Sequence, residues 1–71
     1  MAIDMNPHDI NQQLTNRRKK LGIRQADLAS LAAVSLRTLI AIERGTANPS
    51  VETLTKIADV LGLELTLVVK S

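Results

Sequence analysis

The chain has no cysteine, no aromatic residue and a single histidine, His8. Without cysteine there are no disulfides and no thiolate metal sites. One imidazole cannot make a histidine cluster, so neither a metal nor a cofactor is expected. The absence of Phe, Tyr and Trp removes the stacking platform used on single-stranded nucleic acid. It also leaves the core to Ile, Leu, Val and Ala. No apolar run approaches the roughly 18 residues of a membrane span, and the N-terminus lacks a signal-peptide pattern, so a cytoplasmic location is expected. An enzyme is not expected either, because catalysis needs a nucleophile or an acid–base pair in a cleft. His8 reads as a solvated residue, and Asp27, Glu52 and Asp59 lack the spacing of metal ligands.

What is present is short and unevenly charged. At 71 residues there is room for one domain, which buries roughly 60% of its unfolded surface and gains from a second copy. Residues 1–45 carry Arg17, Arg18, Lys19, Lys20, Arg24, Arg37 and Arg44 against Asp4, Asp9, Asp27 and Glu43, a net +3. Residues 46–71 carry Lys56 and Lys70 against Glu52, Asp59 and Glu64, a net −1. The basic part points to an anionic partner, or is a solvated helix end.

Hydrophobic spacing predicts four helices. Residues 1–8 show no periodicity and contain Pro7, so they read as a loose arm. Asp9 is then an N-cap for a first helix over 9–21, with Ile10, Leu14 and Leu21 on one face and Gly22 after its basic last turn. A second, short helix runs from Gln25 to Ala32 with Leu28, Ala29 and Ala32 as its inward candidates. Ala33 and Val34 lead to Ser35, an N-cap for a third helix that ends at Arg44 before Gly45, with Leu39 and Ile42 inward. Two short helices joined by three or four residues make a helix-turn-helix. Ser50 caps a fourth helix whose apolar stripe is Val51, Leu54, Ile57, Ala58 and Leu61, and Gly62 stops it.

After Gly62 the period changes. Leu63, Leu65, Leu67 and Val69 alternate with Glu64, Thr66, Val68 and Lys70, which reads as a strand. A lone strand leaves its backbone groups unpaired. The economical partner is the same strand of a second copy, in a two-stranded antiparallel sheet on a two-fold axis. A frayed tail or a fifth short helix are the alternatives.

From Leu14 to Leu61 the sequence resembles the Cro/repressor-type helix-turn-helix family. The resemblance is carried by Arg17-Arg18-Lys19-Lys20-Leu21-Gly22-Ile23-Arg24-Gln25-Ala26-Asp27-Leu28-Ala29, by Val34-Ser35-Leu36-Arg37-Thr38-Leu39, by Ile42-Glu43-Arg44-Gly45, and by Asn48-Pro49-Ser50 and Leu54. It implies a mainly α, four-helix lambda-repressor-like DNA-binding domain over 9–62, after a flexible arm at 1–8. By position, Ser35, Leu36, Arg37 and Ile40 of the third helix would read bases in the major groove. Gln25, with Arg24, Thr38 and Ala41, would lie along the DNA backbone. Arg37 is the first choice for base readout, since guanidinium pairs bidentately with guanine. Leu36 and Ile40 would meet thymine methyls, or be covered by the arm or a partner. The family's structural Arg–Glu pair falls on Arg18 and Glu43. Two positions depart from the pattern: Ala33 stands where glycine is common, and Arg24 where Ser or Thr usually caps.

A helix-turn-helix core closing in such a strand, here 63–71, is similar to the HipB-type antitoxins. That likeness implies a homodimeric autorepressor on a palindromic operator, with half-sites about 10 or 20 bp apart, and a HipA-type kinase toxin as partner. A stand-alone phage- or plasmid-type repressor, and a protein-interaction module that has lost DNA binding, are the other readings.

Overall fold

Four α-helices account for most of residues 7–66, the part of the chain that the computed structural model describes. They are α1 (Pro7–Lys20), α2 (Gln25–Leu31), α3 (Leu36–Arg44) and α4 (Val51–Leu61). α1 packs on α3 and α4, and α2 packs on the same pair. Leu28, Leu39, Ile42 and Ile57 are wholly buried between them, with Leu14, Ala29, Ala32, Ala58 and Leu61 almost so. Complete burial of a Leu or Ile contributes about 1.5–3 kcal/mol, so these few side chains carry the fold.

The helices all stop by the same device. At the end of α1 the Gly22 N–H donates to the Lys19 carbonyl, and the Ile23 N–H to the Arg18 carbonyl. The same two bonds recur at Ala33 and Val34, at Gly45 and Thr46, and at Gly62 and Leu63. This pair of bonds satisfies terminal carbonyls and needs a left-handed residue at the first position. Glycine fills it three times, and α2 fills it with Ala33 at φ 56°. At three of the four ends the residue that follows turns back into the molecule: Ile23, Val34 and Leu63 pack against the core, while Thr46 stays exposed.

The starts are less uniform. Ser35 and Ser50 each accept the backbone N–H of the residue three further on, Thr38 and Thr53, at 3.0 and 3.1 Å. α2 begins after Arg24, whose side chain makes no capping bond. α1 begins at Pro7, two residues ahead of the expected Asp9. Proline is tolerated there because its missing N–H belongs to the first turn, where donors lack intrahelical partners. Residues 1–6 of the expected arm lie outside the described residues.

Two residues expected inward are not. Leu21 is 43% exposed: α1 has ended at Lys20, and Ile23 turns into the core in its place. Val51 is 73% exposed, because it starts α4 and the core is reached one turn later, at half-buried Leu54. Among the described residues there is no strand. Residues 63–66 have no regular structure, and the alternation at Leu67 and Val69 falls outside the described part.

Candidate nucleic-acid interface

α2 and α3 change direction by 114° across the four-residue break between them. That angle and that length are those of a helix-turn-helix, in which the second helix projects its N-terminal half outward. Here that half is exposed: Leu36 is 42% exposed, Arg37 and Thr38 are exposed, and Ile40 and Ala41 are half-covered. Leu39 and Ile42 hold the opposite face in the core.

Ser35 is engaged with its own helix. Its hydroxyl accepts the Thr38 N–H and donates to Thr38 Oγ1 at 2.7 Å. Its proton and one lone pair are thus used locally, and the Thr38 hydroxyl keeps its proton for an outside acceptor.

Behind α3 lies a buried charge network. Arg18 grips Glu43 with two hydrogen bonds, Nε to Oε2 at 2.7 Å and Nη2 to Oε1 at 3.0 Å. Its Nη1 donates to the Ile23 carbonyl at 3.0 Å. Gln25 Nε2 donates to Glu43 Oε1, also at 3.0 Å. The carboxylate therefore joins α1, α2 and α3, and Arg18 adds the turn after α1. Burial alone would push the Glu43 carboxyl up, but the Arg18 and Gln25 hydrogen bonds and the Arg18 charge outweigh it and hold the group below its ordinary value. Removing one member would leave a buried group unpaired, so the network acts chiefly to fix geometry.

The basic residues divide into two sets. Arg18 is used inside, and so is Arg17, whose Nε donates to the Leu61 carbonyl at 2.9 Å. Nothing in the sequence pattern pointed to that bond, or to the one between Gln25 and Glu43, since neither joins neighbours on one helix. Arg24 pairs with Asp27 at 3.0 Å, but the two side chains are 84% and 52% exposed. Exposed pairs of this kind are worth little and are screened by salt. Lys19, Lys20, Arg37 and Arg44 are exposed and make no ion pair among the described residues. Their charge is available to an outside anion.

Residues 14–68 match the helix-turn-helix family HTH_3. The chain belongs to that family. Among curated HTH-type transcriptional regulators it is 38% identical over 52 residues to DdrOP3 of Deinococcus deserti. It is 39% identical over 57 residues to an uncharacterized regulator of Haemophilus influenzae. A third, from Methanothermobacter thermautotrophicus, is 43% identical over 47 residues. These alignments cover 73%, 80% and 66% of this chain, and 40%, 58% and 68% of the relatives. The chain thus spans about half the length of the first two. In three dimensions it is similar to the crystal structure of an HTH_3 family transcriptional regulator from Vibrio cholerae. The TM-score is 0.77 at 40% identity, over 84% of this chain and 34% of that one. In HTH_3 terms α2 and α3 are the two helices of the motif, and the Arg18–Glu43–Gln25 network braces them against α1.

Proposed function

We propose that this chain is a DNA-binding transcriptional repressor that acts as a homodimer on a palindromic operator. α3 enters the major groove, Arg37 reads a base, and Leu36 and Ile40 pack against thymine methyls. Arg24, Gln25, Thr38 and Ala41 lie along the sugar–phosphate backbone. The observation that carries this reading is Arg37 itself: an exposed guanidinium near the start of an outward-facing helix, with no acidic partner among the described residues. HTH_3 membership and the names of the relatives support it. No catalytic role is proposed, and the site of action is the cytoplasm. The test is binding to a duplex taken from upstream of the chain's own gene, compared with a shuffled duplex, over a range of salt. A tighter complex with the upstream duplex, weakening steeply with salt, is expected. Equal binding to both duplexes would reject a sequence-specific repressor.

The alternation from Leu63 to Lys70 favours a narrower version, in which the chain is a HipB-type antitoxin and a HipA-type kinase is its partner. Leu65, Leu67 and Val69 then pair two copies through a strand. Leu63 contributes less, because it packs on its own domain's core. Co-purification of a kinase-like product of the adjacent gene is expected on this version. A neighbour of another kind would leave a stand-alone repressor.

A further inference from the structure

We infer that Glu43 is a positioning residue for phosphate recognition, holding the Gln25 amide so that its second Nε2 hydrogen is presented to the DNA backbone. The inference rests on the DNA-binding reading above and adds a residue that does not itself touch DNA.

A glutamine amide has two N–H donors on one planar nitrogen. In Gln25 one of them goes to Glu43 Oε1 at 3.0 Å. Because the group is planar, fixing that hydrogen fixes the direction of the other. The acceptor is itself immobile, since Arg18 holds both carboxylate oxygens, at 2.7 and 3.0 Å. A charged acceptor also makes a shorter and stronger bond than a neutral one. A phosphate can only accept, so the remaining N–H is the part of Gln25 suited to it.

The charge balance fits the same role. A lone carboxylate bonded to a phosphate-binding side chain would repel the DNA. Arg18 cancels that charge at contact distance, with its side chain 11% and that of Glu43 5% exposed. A solvated glutamine would lose its rotamer freedom when DNA arrives, whereas Gln25 has lost it on folding. Gln25 is only half-covered, so an outward approach remains open.

Phosphate contacts carry no sequence information, so a random-sequence duplex at low salt is a sufficient probe. Its affinity is measured by fluorescence anisotropy for the wild type, Gln25→Ala, Glu43→Gln and the double variant. Gln25→Ala should weaken binding about tenfold, the effect of one hydrogen bond to a charged group. Glu43→Gln should weaken it by a similar factor when Gln25 is present, and by less than about twofold when it is not. The change in net charge is the same in both backgrounds and cancels. An equal effect of Glu43→Gln with and without Gln25 would mean a purely structural role and overturn the inference. No binding by the wild type at all would remove the DNA-binding reading itself, and the inference with it.

If Glu43→Gln does not fold, the wild type still decides. The Gln25 side-chain amide protons should exchange more slowly than those of exposed Gln13, and should shift when the duplex is added. Gln25 resonances that exchange like those of Gln13, or that stay in place on adding DNA, would overturn the inference.

Discussion

Arg17 and Leu61 lie forty-four positions apart, yet the Arg17 Nε hydrogen closes the Leu61 carbonyl at 2.9 Å. The first helix thereby caps the end of the last one. The wholly buried Leu and Ile side chains are few, so a single bond between distant elements counts.

Arg17→Ala should accordingly lower the stability of the domain by about 1 kcal/mol, the net value of one side-chain hydrogen bond. The urea midpoint is the measurement. An unchanged midpoint would mean that water satisfies the Leu61 carbonyl equally well.

Ala33 holds a left-handed backbone at φ 56°, where an L-residue costs roughly 1–2 kcal/mol. Glycine removes that strain, but brings about 0.5–1 kcal/mol of extra chain entropy. Ala33→Gly should therefore stabilise the domain by roughly 0.5–1 kcal/mol, a rise in Tm of several degrees at about 4–8 °C per kcal/mol. A lower Tm would show that the turn is not strained.

The Glu43 carboxyl sits below its ordinary value in the folded domain, so the unfolded chain binds the proton more readily. Its contribution to stability is complete above the ordinary glutamate value, about 4.3, and is lost as the pH falls through the lower folded value. Thermal melts from pH 7 down to pH 3 should show this loss in the wild type. Glu43→Gln should be less stable at pH 7 and should show a smaller loss in that window. Parallel curves for the two proteins would mean that Glu43 ionises alike in both states.

Removing residues 65–71 should leave a folded monomer in analytical ultracentrifugation, because Leu63 and the end of α4 stay intact. Keeping Leu63 matters, since it packs on the core and its loss would loosen the domain as well as the dimer. A dimer that survives the deletion would place the self-contact elsewhere.

The helices and most of the core were legible in the sequence, for an identifiable reason. Leu14, Leu28, Leu39, Ile42, Ile57 and Leu61 recur at helical spacing, and Ser35, Ser50, Gly45 and Gly62 mark ends that backbone chemistry dictates. Leu21 and Val51 misled because periodicity carries the buried face past the point where the core ends. Leu21 lies just beyond the end of α1, and Val51 opens α4 one turn ahead of the core. Arg17 reads as one more positive charge, and Gln25 only as a residue along the DNA backbone. Their partners, Leu61 and Glu43, come close only through tertiary packing, and no local pattern encodes that. Ser35 was legible as a cap, and its hydroxyl proton is spent in that role. The base-reading face of the proposal therefore falls to Leu36, Arg37 and Ile40.

The most direct test of the whole account is the affinity of Arg37→Ala for the upstream duplex relative to a shuffled one. A lost bidentate base contact should reduce the preference by about 1–3 kcal/mol, roughly 5- to 150-fold, at each half-site. Affinity for the shuffled duplex should fall far less. An undiminished preference for the upstream duplex would contradict base readout by α3 through Arg37.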